Sequence, residues 1–196
     1  MEILNLNTMC KDKNELDLSN PVFKKHGYIQ VYTGQGKGKT TASLGLTLRA
    51  LGHGWRVLII QFMKAENLWK YGEISSLAKF TENLSVEQYG ISIVGTITED
   101  DKKVLKQGWE IAKDCIHSKA YDLIVLDEIN HVINENIIEL SDVISTLKNK
   151  PSELELVLTG RNAKPEILEI ADLVTDMTCI KHYFDKNVMA REGVEW

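Results

Sequence analysis

The stretch 28-YIQVYTGQGKGKTTASLGLTLRALG-52 decides the reading of this chain. A β-rich run enters a turn carrying three glycines and two lysines, then leaves as a helix. That is the layout of a phosphate-binding loop. Backbone N–H groups converge on the anion, the helix N-terminus adds partial positive charge, lysine adds a full charge, and a hydroxyl serves Mg²⁺. Lys39 and Thr40 take the last two roles, and Lys37 adds a second cation suited to a complete triphosphate. The usual pattern G-x-x-x-x-G-K-[ST] is broken at its first position, where Thr33 stands five residues before Gly38. A β-branched residue resists left-handed angles. Thr33 is therefore expected to stay extended, with the reversal carried by Gly34 and Gly36, and with Gly34, Gly36 and Gly38 free to take positive φ.

Outward from the loop, short apolar runs recur at 28–32, 55–62, 84–90, 122–127, 153–159 and 172–180. Most are β-branched and of the length of buried parallel strands. Helical patterns separate them. Leu105, Trp109, Ala112 and Ile116 form one apolar stripe, with Thr98 as expected N-cap before Glu99, Asp100 and Asp101. Ser141 is the expected cap of a shorter helix that Lys150-Pro151 ends. The alternation predicts an α/β fold, a mostly parallel sheet with helices on both faces. Residues 1–26 are polar and aperiodic and read as a tail or a loosely attached arm, leaving 27–196 as a single domain.

The run 123-LIVLDE-128 is a hydrophobic strand ending in two carboxylates. Ligands of α/β sheets sit beyond the carboxyl ends of strands, so Asp127 and Glu128 should face the crevice of the loop. One can hold Mg²⁺, directly or through water, while the other orients a ligand or activates water. Two function classes separate here. A carboxylate could act as the general base of an ATPase or phosphotransferase working at the γ-phosphate. Alternatively the loop and metal hold the triphosphate as a leaving group, and the chemistry happens at the 5′-carbon.

Bulk properties narrow the field. The chain has 196 residues, is 43% hydrophobic and has a net charge of −5, so it lacks the electrostatic footprint of a nucleic-acid binder. No apolar run approaches the length of a membrane span, and the opening residues lack a signal-peptide core, so a soluble cytoplasmic protein is expected. Cys10, Cys115 and Cys179 are scattered without a CxxC and read as small buried hydrophobes.

GQGKGKTT preceded by Thr33 resembles the loop of the corrinoid adenosyltransferases, the cob(I)yrinic acid a,c-diamide adenosyltransferase family. The similarity continues through 49-RALGHGWRVLIIQFMK-64, 122-DLIVLDEIN-130, 158-LTGRNAKPEILEIADLVTDM-177 and 181-KHYFDKNVMAREGVEW-196. The resemblance implies a RecA-like P-loop domain, usually a homodimer. It implies transfer of the 5′-deoxyadenosyl group of ATP to a cob(I) corrinoid, with release of triphosphate and a reversed ATP. Mg²⁺ or Mn²⁺ would assist, and a flavodoxin or flavin reductase would supply electrons. On that basis Gly34, Gln35, Gly36, Lys37, Gly38, Lys39, Thr40 and Thr41 form the ATP loop. Glu128 is the expected metal ligand, with Asp127 behind it orienting the site, or the reverse, and Arg161 and Arg49 are candidate nucleotide contacts.

Two departures stand out. Relatives carry an F-x-W pair covering the lower corrinoid face, where this chain has Thr96 and Thr98. Either Trp69, Tyr71 or Tyr89 is the aromatic substitute, or activation of cob(II) is less protected; the N-terminal arm of relatives folds over the corrinoid, which implies a lid role for residues 1–26. Arg191 stands where glutamine is usual. The five histidines lack the D-x-H-x-x-G context of base-off corrinoid carriers; His53 reads as part of a G-H-G turn and His182 as a structural or crevice residue.

Overall fold

Six strands pair into one all-parallel sheet in the order β3-β2-β4-β5-β1-β6. They are β1 (Ile29–Thr33), β2 (Val57–Phe62), β3 (Leu84–Tyr89), β4 (Leu123–Asp127), β5 (Glu155–Thr159) and β6 (Leu173–Asp176). The computed structural model describes residues 26–64, 72–77, 79, 82–90 and 97–195. Thr96, Trp69, Tyr71, Cys10 and the arm up to residue 25 lie outside the described residues.

Side-chain parity sorts the core into two layers, because alternate strand residues point to opposite faces. Val57, Ile59, Leu123, Val125 and Val157 pack on one face with Ala50, Leu51 and Leu77. That face is covered by α1 (Lys39–Gly52) and α2 (Gly72–Leu77). Leu58, Ile60, Ile124, Leu126, Leu156 and Leu158 fill the other. It is covered by α3 (Glu99–His117), α4 (Ile129–Asn134), α5 (Leu140–Lys148) and α6 (Pro165–Ile170). Helices on both faces are what the alternation predicts, and the sheet is wholly parallel.

The stripe Leu105, Trp109, Ala112 and Ile116 is buried as expected. Thr98 caps α3 in a reciprocal arrangement, its hydroxyl accepting from Asp101 N while the Asp101 carboxylate accepts from Thr98 N. The expectation for Ser141 is corrected: α5 starts at Leu140, after Glu139 in extended conformation, with no side-chain cap. Backbone N–H groups of Asp142 and Val143 bond to the Glu139 carbonyl instead. The expected run 172–180 shortens to four strand residues, all exposed, because among the described residues β6 is an edge strand paired only with β1. The thiols are also corrected, since Cys115 is half-buried and Cys179 exposed. His53 ends α1 and Gly54 follows at φ 74, the expected turn.

Candidate active site

Thr33 closes β1 in extended conformation, paired with Asp176. Its hydroxyl accepts from Ala163 N at 3.1 Å, tying the loop to the turn after β5. The residue that breaks the usual pattern is therefore a strut. Gly34 and Gly38 take φ of 96° and 124°, as anticipated. Gly36 is not among the positive-φ residues, although it lies within the bend over residues 34–37. Its requirement is space: a Cβ there would come within 2.6 Å of the Met177 carbonyl, to which Gly36 N donates. The loop is thus pressed against the chain just after β6.

Gly38 opens α1 with no side-chain cap and no acidic residue in the first turn, so its N-terminal amides and dipole are left for an anion. Lys39 is 7% exposed, and its ammonium donates to the Gly34 and Gly36 carbonyls at 2.8 Å each. Burial holds its pKa below the ordinary lysine value, against the pull of Glu128. Lys37 reaches outward and donates to the Val194 carbonyl at 3.1 Å.

The carboxylates sit one strand away, because β5 runs between β1 and β4. Register lines up a polar row across the carboxyl edge: Gln88 with Gln61, Gln61 with Asp127, and Thr159 with Tyr32. Gln61, Asp127 and Thr159 each lie two residues beyond an apolar residue of the α1 face, so they share that face with Thr40. Asp127, 1% exposed, accepts from Thr40 Oγ1 at 2.9 Å and Thr159 Oγ1 at 2.7 Å on one oxygen. Its other oxygen accepts from Gln61 Nε2 at 3.2 Å and Lys64 Nζ at 2.9 Å. Gln88 in turn donates to Gln61 at 2.7 Å.

Glu128 follows in left-handed conformation, φ 61° and ψ 17°, its N–H donating to Thr159 Oγ1 at 2.9 Å. This turn separates the neighbours: Asp127 is enclosed by donors, whereas Glu128 lines the crevice. Burial, then the Asp127 charge, push the Glu128 pKa up.

The crevice has a volume of about 720 Å³. Its wall brings together residues 36–41 of the loop, Glu128, Arg161, and three contributors the sequence reading missed: Lys64, Glu73 and the tail residues Gly193–Glu195. His182 also lines it, while its Nδ1 accepts from Phe184 N to start a 3₁₀ turn at Tyr183–Lys186. Gly34 and Gln35 face a second hollow behind the loop, and Gln35 Nε2 donates to Asn162 Oδ1 at 2.6 Å.

Arg49 sits exposed in the last turn of α1, ten residues and about 15 Å along the axis from Lys39, and does not line this crevice. Thr98 spends its hydroxyl on Asp101, the role of a cap. Arg191 is exposed, paired with Glu195 and placed over the Tyr183 ring. Tyr89 is buried against Phe62.

The donor set fits a hard cation. Thr40 gives its single proton to Asp127, leaving its oxygen lone pairs available, and Glu128 presents a carboxylate beside it. Among the described residues no cluster of three or more His, Cys, Asp or Glu could cage a metal alone. Mg²⁺ needs none, since it is commonly held by one or two carboxylates together with substrate phosphates and water.

Comparison with known proteins adds the chemistry. Residues 25–196 match the family model described as ATP:corrinoid adenosyltransferase BtuR/CobO/CobP. Corrinoid adenosyltransferase of Escherichia coli K12 is 33% identical over 172 residues, covering 88% of this chain and 87% of the relative. Those of Pseudomonas aeruginosa and a Sinorhizobium species are 32% and 36% identical, covering 85% and 80% of the relatives. Among solved structures, the flagellar accessory protein FlaH from Methanocaldococcus jannaschii superposes with a TM-score of 0.52 at 15% identity, covering 78% of this chain and 71% of that one. That likeness concerns the fold alone.

Proposed function

This chain belongs to the ATP:corrinoid adenosyltransferase family and is a transferase, and from that premise we propose how it works. The 5′-deoxyadenosyl group of ATP passes to the cobalt of a reduced corrinoid, cob(I)yrinic acid a,c-diamide or cob(I)alamin, and triphosphate leaves. Cobalt(I) donates its electron pair to C5′, the C5′–O bond breaks, and that pair departs with the triphosphate. The nucleophile carries no proton, so no general base is required. Positioning and stabilisation of leaving-group charge do the work.

The observation that carries this reading is one crevice in which the loop, the Thr40–Asp127 pair and the Glu128 carboxylate converge. Lys39, Lys37 and Arg161 bind the triphosphate, with the γ-phosphate deepest in the loop. Thr40 and Glu128 hold Mg²⁺ or Mn²⁺, with Asp127 orienting Thr40. The metal, when bound, neutralises phosphate charge.

We also assign a homodimer, cytoplasmic location and a flavodoxin or flavin reductase as electron source. For the dimer the support is the open β6 edge and the exposed apolar residues after it, including Ile180 and Phe184 at 87% and 75% exposure.

The test is incubation with ATP, Mg²⁺ and chemically reduced cob(I)alamin. The corrinoid spectrum should change to that of the alkylated cobalt with equimolar triphosphate. ADP and phosphate without a cobalt–carbon bond would overturn the reading in favour of an ATPase or phosphotransferase.

A further inference from the structure

The Asp127 carboxylate is closed off from water, and a buried carboxylate needs protein donors on both of its oxygens. Three of its four donors are neutral: the Thr40 and Thr159 hydroxyls and the Gln61 amide. The fourth is the Lys64 ammonium, 2.9 Å from Oδ2, with its side chain 14% exposed.

The backbone is built to deliver that ammonium. Met63 takes a left-handed φ of 61° immediately after β2, and its N–H is anchored to the Tyr89 carbonyl at 2.8 Å. Gly90 leaves no room for a side chain there, since a Cβ would lie 2.8 Å from Lys64 N. A left-handed non-glycine residue and a glycine without room for a Cβ together hold Lys64 at the sheet edge, where it lines the crevice.

We propose that Lys64 is a positioning residue of the metal–triphosphate site. Its ammonium, bonded to Asp127 Oδ2, fixes how that carboxylate is turned, and Asp127 in turn holds the Thr40 hydroxyl on Oδ1 so that the oxygen lone pairs face the cation. The inference rests on the nucleotide reading above and deepens it. Nothing in the loop pattern announces Lys64, because it acts through a partner 63 residues away in sequence.

The experiment titrates the full-length protein with Mn²⁺ in the presence of ATP, following free Mn²⁺ by electron paramagnetic resonance. ATP binding in EDTA is measured beside it. Loss of an outer-shell partner typically weakens metal binding about 10- to 100-fold. Lys64→Met is expected to lose that much Mn²⁺ affinity, to keep metal-free ATP binding, and to regain most Mn²⁺ affinity as Lys64→Arg. Lys64→Met combined with Thr40→Ala should bind Mn²⁺ no more weakly than Thr40→Ala alone, because the two act in series. Unchanged Mn²⁺ affinity in Lys64→Met overturns the inference. So does an equal loss of metal-free ATP binding, which would make Lys64 a direct phosphate contact. Should Lys64→Met not fold, the same titration of Lys64→Gln decides by the same criteria. If the wild type itself binds no Mn²⁺ with ATP, the nucleotide reading fails instead.

Discussion

At Glu128 the backbone turns left-handed where β4 gives way to α4, and the half-buried side chain lies near a second carboxylate, that of Asp127. A non-glycine residue in that conformation costs about 1–2 kcal/mol. Glu128→Gly relieves the backbone and removes the repulsion with Asp127. Its melting temperature in EDTA should therefore equal or exceed that of the wild type, while adenosyl transfer becomes far less responsive to Mg²⁺. A lower melting temperature would show that Glu128 stabilises the fold. At Lys39, methionine keeps the stem and loses the charge; removing one such electrostatic contact typically costs about 10²–10³ in kcat. A stopped-flow assay with cob(I)alamin reads that loss directly. Both residues were legible in the sequence, because lysine before threonine and paired acids after an apolar strand are local patterns. Lys64 was not, since its partner lies on the neighbouring strand β4, 63 residues on in sequence, and a lone lysine after Phe62-Met63 has no local signature.

Between elements, contacts decide what composition leaves open. The loop is held against the segment after β6 through Gly36, where a Cβ would also come within 2.9 Å of the Thr178 carbonyl. Gly36→Ala should displace the loop and weaken ATP binding by about tenfold or more, roughly the effect of one lost charge-assisted contact. Calorimetry with ATP measures it, and unchanged affinity would show that the loop tolerates the shift. A second joint is the clamp of α3 on α5. The Asp142 carboxylate accepts from Trp109 Nε1 at 2.7 Å and from Lys113 Nζ at 3.0 Å. The indole hydrogen bond first, then Lys113, hold its pKa below the ordinary 3.8. A depressed carboxylate pKa contributes stability above the unfolded value and loses it as pH falls through the folded one. Asp142→Asn should lower the melting temperature at neutral pH, and that deficit should shrink below about pH 4. A deficit independent of pH would assign the effect to packing. Strand identities were readable from apolar runs, yet the start of α5 was not. Ser141 is a good cap by type, but Glu139 in extended conformation had already supplied the carbonyl that begins the helix.

For the whole molecule, an open β6 edge continues into exposed Ile180, Phe184 and Met189. Phe184→Asp should shift the mass measured by light scattering from twice the chain to one chain, and a monomeric wild type would remove the dimer assignment. The six-strand order itself was beyond the sequence, because apolar runs do not say which neighbours pair. That order sets β5 between the loop strand and the acid strand, so Thr159 reaches both carboxylate residues. The polar row also has a consequence for descent. Gln61, Asp127 and Thr159 reach α1 only because each stands an even number of residues past the apolar ladder of its strand. A single-residue deletion inside Leu123–Leu126 would swing the carboxylate to the opposite layer, among the apolar side chains of α3–α6. Substitutions in these strands can drift, but their lengths are inherited whole. Insertions and deletions in the lineage should therefore gather in the connections and spare the strands.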